Sequence, residues 1–230
     1  MPSSLHSWEV TPREAVEIQR NLRPRLILDS NPRSIDTIAG IDVSYEAAAG
    51  RLIAGVVVFR MSDLSPIESV TAVLPATFPY IPGLLSFRET PAVLLAWKKL
   101  KRRPDCLICD GQGIAHPRRF GLASHLGLWL DIPSIGCAKS ILVGTYREPG
   151  ERRGSRVPLI DKGEKVGVIL RTRDGVKPVY VSPGHRITLD RAVEVVLACA
   201  PRYRLPDPIR QAHHLVNTLR ASRSLSIGKG

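Results

Sequence analysis

Three β-rich runs, at residues 38–45, 52–61 and 66–74, follow one another across short turn-like segments that include Gly50 and Ser62-Asp63. Later stretches alternate between helical and strand-like patterns. This order constrains the chain strongly, because a meander of antiparallel strands can be joined by parallel strands only through crossover connections. The spacing predicts a helix from about Pro91, with Val93, Trp97 and Leu100 on one face, leading into a buried strand at 106–109. Further helix signals fall at 117–130, 188–200 and 208–219, and strand signals at 132–138, 166–171 and 179–181. Ahead of the meander, Thr11-Pro12-Arg13-Glu14 has the form of a capping box, and Ala15, Ile18 and Leu22 recur at helical spacing. The expected fold class is α/β: a mixed sheet, an antiparallel meander plus parallel strands, flanked by helices.

With 230 residues, 43% of them hydrophobic, the chain can bury one sizeable core. We expect a single catalytic domain over 1–222 and a disordered tail over 223–230, where Ser, Gly and Lys dominate. No apolar stretch approaches the roughly 18 to 20 residues that span a bilayer, and charges stand where a secretory segment would be apolar. A soluble, cytoplasmic monomer with no membrane partner is expected. Cys106 and Cys109 sit in a strand-like apolar run far from Cys137 and Cys199, so packing as reduced thiols is favoured over a metal or disulfide framework. Thirty-three Lys and Arg against 21 Asp and Glu leave a net charge of +12, which favours a phosphate backbone as partner.

Two carboxylates break apolar runs. In the first strand Asp42 shares a face with Ile38, Gly40 and Ser44, and a carboxylate there costs free energy unless something pairs with it. Asp110 ends the apolar run Leu107-Ile108-Cys109 and opens Gly111-Gln112-Gly113. Such an Asp is often only a turn residue. If the two strands are neighbours, however, the two carboxylates approach each other and their repulsion calls for a divalent cation, with magnesium the natural candidate. Between them, Phe78-Pro79-Tyr80-Ile81-Pro82-Gly83 carries two stiffening prolines and an aromatic tip, and Glu89 follows before the next helix. A rigid wedge of this kind can unstack bases.

These segments together resemble the endonuclease V family. The resemblance is carried by Ala39-Gly40-Ile41-Asp42, by the 79–83 loop running on to Phe87-Arg88-Glu89, and by the run from Asp110 to Arg119 that contains Ile114-Ala115-His116-Pro117-Arg118. It continues through Gly136-Cys137-Ala138-Lys139-Ser140, Val181-Ser182-Pro183-Gly184-His185 and the late run from Arg204 to His213. The blocks extend over most of the chain, and the order of its elements is that of ribonuclease H-like nuclease folds. The resemblance implies a metal-dependent enzyme that recognises deaminated bases in DNA, hypoxanthine above all. It would hydrolyse the second phosphodiester bond 3′ to the lesion, leaving 3′-hydroxyl and 5′-phosphate ends.

By the same likeness Asp42, Asp110 and Glu89 would hold Mg²⁺, with Mn²⁺ able to substitute, and Lys139 would hold the phosphate or orient water. His213 would join the metal site or move a proton, while His214, about 100° away round the helix, faces elsewhere. Pro79, Tyr80, Ile81 and Pro82 form the strand-separating wedge. Leu85, Gly111, Gly113, His116, Gly121 and Leu142 form the lesion pocket, with capping of a following helix as the alternative for His116. Arg88, Arg118 and Arg119 contact phosphates. His185 is expected to make a structural turn contact. The competing readings are an endoribonuclease for inosine-containing RNA, a catalytically silent nucleic-acid binder, and a nuclease specific for flaps or junctions.

Overall fold

The computed structural model describes residues 5–32 and 34–227, with side chains described as far as residue 223. One eight-stranded sheet organises them, in the order β3-β2-β1-β4-β5-β8-β7-β6. The meander is β1 (Thr37–Glu46), β2 (Arg51–Arg60) and β3 (Pro66–Pro75), all antiparallel. Strands β4 (Cys106–Cys109) and β5 (Ser134–Ala138) add to β1 in parallel, and both are buried along their whole length, as expected where helices cover both faces. An antiparallel flank completes the sheet: β8 (Val179–His185), β7 (Glu164–Leu170) and β6 (Arg156–Asp161). This is the ribonuclease H-like mixed sheet expected from the order of the runs.

Alternation along β1 assigns each neighbour to a different layer. Ile38 packs with Val57, Ile108, Ile135 and Val193 under helices α4 (Leu189–Cys199) and α5 (Asp207–Ile227). Ala39 and Ile41 pack with Val56, Val93 and Leu126 under α2 (Leu85–Trp97) and α3 (Leu122–Leu130). The N-terminal helix α1 (Pro12–Leu22) carries the expected capping box, with Glu14 N–H donating to Thr11 Oγ1 and Thr11 N–H donating to Glu14. Helix α5 crosses β1 so closely that a Cβ on Gly40 would lie 2.1 Å from the carbonyl oxygen of Pro208. That closeness lets a helix near the C-terminus reach a carboxylate on the first strand. All four cysteines are free and buried in the core. No described helix is long and apolar enough to cross a membrane.

Local structure departs from the sequence reading in four places. The helix expected near Pro91 begins at Leu85, with Pro91 inside it. Burial of Ser86, Phe87 and Thr90 outweighs the backbone hydrogen bond that the proline forfeits. The helix expected over 117–130 begins only at Leu122. Residues 117–121 form a turn in which Arg119 adopts a left-handed φ of 56° and its N–H donates to the His116 carbonyl at 2.9 Å. Strand β6 is not anticipated, because Pro158 weakens its pattern, and it lies at the sheet edge where proline is tolerated. Helix α5 continues through Ile227, past Ala221 and Ser222 where ordered structure was expected to end, and residues 228–230 lie outside the described residues.

Candidate active site

The parallel pairing of β1 with β4 sets Ile41 beside Cys109, so the next residue on one strand, Asp42, and the next on the other, Asp110, emerge together. Glu89, on the second turn of α2, completes an acidic group. Glu89 keeps some accessible surface, yet burial, followed by the charges of Asp42 and Asp110, pushes its carboxyl up to about 8. Asp42 is also raised, first by burial, then by Asp110, with the His213 hydrogen bond opposing. Two bases meet this charge. Lys139, just beyond β5, places its ammonium on Asp110 Oδ2, and His213 of α5 donates from Nδ1 to Asp42 Oδ2 at 2.8 Å. Asn217, one turn on, donates from Nδ2 to His213 Nε2 at 2.9 Å, which fixes the imidazole with its proton on Nδ1. Asn217 belongs to none of the sequence motifs, although its spacing of four residues from His213 marks it as a helical neighbour.

A cleft of about 360 Å³ opens beside Asp110 and Lys139. Leu85, Gly111, His116, Gly121 and Leu142 line it, as do Tyr80, Ile81 and Pro82 of the proline-stiffened loop. Tyr80 is 72% exposed. Gly113, expected in the same wall, instead lies beneath the floor, where its N–H donates to Ser182 Oγ at 2.8 Å and its carbonyl accepts from Gly121 N–H at 2.9 Å. The loop closes in a turn with Leu84 N–H donating to Ile81 carbonyl at 2.9 Å, and Gly83 supplies the required φ of 79°. Its carbonyl then accepts three donors: Gln19 Nε2 at 3.0 Å, His116 Nε2 at 2.9 Å and Arg118 Nη2 at 2.6 Å. His116 also accepts Arg118 N–H at Nδ1, so it is a neutral imidazole, and burial together with the Arg118 charge lowers its pKa to about 4.

The three arginines expected at phosphates have tertiary partners. Arg119 is buried and paired with Asp161 at 2.7 Å and Glu164 at 2.8 Å, because the left-handed turn points it inward toward the β6–β7 hairpin; it does not stand at the surface as expected. Arg118 ties Gln19 and Gly83, and Arg88 donates to the Phe78 carbonyl at 2.6 Å while its guanidinium lies 4.5 Å over the Tyr45 ring. His185 is structural, as expected, but sits at the end of a strand instead of in a turn. Its Nδ1 accepts Ile27 N–H and its Nε2 meets Asp131 Oδ1, each at 3.3 Å. Gln112, given no role in the sequence reading, lines the cleft with Nε2 donating to Ser140 carbonyl at 3.0 Å and Oε1 buried without a hydrogen-bond partner among the described residues.

Hard oxygen donors gathered at one point, two of which, Glu89 and Asp42, bind their protons more tightly because of burial and neighbouring carboxylate charge, fit a divalent cation such as Mg²⁺ or Mn²⁺. Among the described residues, no three His, Cys, Asp or Glu side chains already stand at metal-ligand spacing; Asp110 is turned onto Lys139 and Asp42 onto His213. The acidic group is therefore a candidate centre whose carboxylates are held by internal bases.

Comparison with known proteins agrees with the geometry. The family profile for endonuclease V matches residues 20–214. Endonuclease V of Myxococcus xanthus is 54% identical over 214 residues, which are 93% of this chain and 91% of that protein. The crystal structure of endonuclease V from Streptomyces avermitilis superposes with a TM-score of 0.89 at 43% identity, covering 97% of each chain. The Ciona intestinalis endonuclease V, in complex with a 23mer DNA containing an inosine followed by a ribo-adenosine, superposes with a TM-score of 0.78 at 25% identity, covering 93% of this chain and 99% of that one. With a family match over most of its length and a relative 54% identical over 93% of it, and with an acidic strand-end centre beside an open cleft, the chain belongs to the endonuclease V family of nucleases.

Proposed function

We propose that this protein is a divalent-metal-dependent deoxyribonuclease of DNA repair, acting in the cytoplasm as a monomer, that recognises hypoxanthine in DNA. It hydrolyses the second phosphodiester bond 3′ to the lesion and leaves 3′-hydroxyl and 5′-phosphate ends. The observation that carries this reading is the convergence of Asp42, Glu89 and Asp110 beside a cleft lined by glycines and apolar side chains. The inosine-containing DNA bound by the Ciona relative supports the substrate class.

Asp42, Asp110 and Glu89 would hold the metal. When bound, a divalent ion lowers the pKa of an attacking water and offsets charge on the phosphate oxygens. Lys139 Nζ, paired with Asp110 and lining the cleft, would be placed to hold a phosphate oxygen. His213 Nδ1–H orients Asp42 and keeps one carboxylate oxygen occupied. Tyr80, between Pro79 and Ile81-Pro82, is the wedge that opens the base stack while the target base enters the cleft.

The test is a denaturing-gel cleavage assay with Mg²⁺ on matched DNA and RNA strands, each with and without one deoxyinosine or inosine, and with a chelator control. A chelator-sensitive nick one nucleotide past deoxyinosine supports the proposal, and equal cleavage of strands with and without the deaminated base, or no cleavage of any strand, overturns it. A second reading, cleavage of inosine-containing RNA, is favoured by the ribo-adenosine that follows inosine in the Ciona complex. It predicts cutting of the RNA strand in preference to the DNA strand, through contacts to a 2′-hydroxyl.

A further inference from the structure

Ser86, on the first turn of α2, lines the cleft and is 2% exposed. Behind it runs a chain of hydrogen bonds with one consistent direction. His6 Nδ1 lies 2.6 Å from the Ser7 carbonyl oxygen, which can only accept, so Nδ1 carries the proton of the neutral ring. His6 Nε2 is then bare, and it lies 2.8 Å from His125 Nε2, which must donate. His125 Nδ1 is bare in turn and lies 3.0 Å from Ser86 Oγ, so the serine hydroxyl donates inward. Both histidines are driven toward the neutral form by burial, His125 most strongly, in an apolar nest of Trp8, Phe87 and Trp129. The serine proton is thereby committed, and Oγ has only lone pairs to offer the cleft. On the same wall Gln112 donates one amide N–H to the Ser140 carbonyl, and its buried oxygen remains an acceptor.

We infer that Ser86 is a specificity-determining residue of the base pocket, held as an obligate hydrogen-bond acceptor by His125 and His6 so that it receives the ring N–H of hypoxanthine. This inference rests on the proposed lesion reading. In the same pose adenine presents a bare ring nitrogen, and two lone pairs face each other with neither able to donate; a buried pair of that kind is costly. Guanine shares the ring N–H, so this acceptor sorts hypoxanthine from adenine and leaves guanine to be rejected elsewhere. Deamination converts an acceptor nitrogen into a donor, and a fixed acceptor reads that change directly.

The experiment measures binding of the full-length protein, by fluorescence anisotropy, to single strands carrying one deoxyinosine, one deoxyadenosine or one N1-methyl-deoxyinosine. The wild type is expected to favour deoxyinosine over both others by about tenfold or more. Ser86→Ala should lower deoxyinosine binding and, by removing the opposed lone pair, raise deoxyadenosine binding, so that the discrimination between the two collapses. His125→Phe, accommodated by the aromatic nest, frees the serine proton to turn toward the cleft and should raise deoxyadenosine binding while lowering deoxyinosine binding. Equal discrimination in folded Ser86→Ala, or in His125→Phe where the serine variant does not fold, overturns the inference and leaves the lesion reading standing. A wild type that binds all three strands alike defeats the lesion reading itself.

Discussion

The acidic centre and the loop beside it are held in opposite ways. Asp42 and Asp110 stand on adjacent parallel strands of the core, positioned by backbone pairing that many buried residues support. The loop at 79–84 has no strand partner, and its root is bolted by side chains through one carbonyl, Gly83, which takes three donors. Its tip is free, with Tyr80 72% exposed. The difference teaches that the carboxylates proposed to hold the metal are placed by the sheet, whereas the loop proposed as a wedge is placed by a small polar network outside it.

The largest expected effect separates the two regions outright. Asp42→Ala or Asp110→Ala should lower cleavage by about 10²- to 10³-fold or more while deoxyinosine binding persists, as read by single-turnover kinetics beside anisotropy. Because the folded state raises the Asp42 pKa, its charge opposes folding at neutral pH, so Asp42→Ala should not lower the melting temperature. Full activity in either variant would remove the centre from the mechanism.

Acid should loosen the root before it harms the sheet. His116 is held near 4 when folded and titrates near 6.5 when unfolded, so between those values the unfolded chain binds more protons. Stability is therefore fully present above about pH 6.5 and falls as pH drops toward 4, by up to about 3 kcal/mol from this group. Urea midpoints at pH 7 and pH 5 should differ more for the wild type than for His116→Gln; an equal loss in both would assign the acid sensitivity to other groups.

Next in size, Gln19→Ala removes a donor to Gly83, a donor to the Phe120 carbonyl and the acceptor for Arg118 together. A cost of about 1 to 3 kcal/mol is expected for the buried groups left unpaired, with weaker binding of duplex substrate and cleavage at saturating substrate largely kept. The smallest effect on the fold belongs to the tip. Tyr80→Ala should shift stability by no more than about 0.5 kcal/mol yet weaken engagement of duplex lesions more than of single strands, and equal loss on both would count against a wedge.

Much of this arrangement is legible before folding. Ile38 and Ala39 reveal two buried faces by alternation, and Leu107-Ile108-Cys109 announces a strand covered on both sides that ends in Asp110. Less legible are elements where tertiary contacts override local chemistry. Pro91 reads as a helix start, yet burial of Phe87 extends α2 back to Leu85. Pro117 also reads as a helix start, yet a turn precedes Leu122. Pro158 hides β6, which pairing with β7 and a backbone bridge from Thr145 to Ile160 hold in place.

The sequence by itself determined the order of the elements other than β6, the family, and the two strand-end carboxylates, because periodicity and motif blocks are local properties of the chain. Tertiary structure alone decided that His213 Nδ1 bonds to Asp42 Oδ2 across 171 residues, that Arg119 turns inward, and that Gln19, His116 and Arg118 share one carbonyl. It also decided that His6 and His125 stand in line behind Ser86. Hydrogen bonds between distant segments depend on how helices and turns pack against the sheet, and that packing is set by the whole core and not by the propensities of the residues that meet.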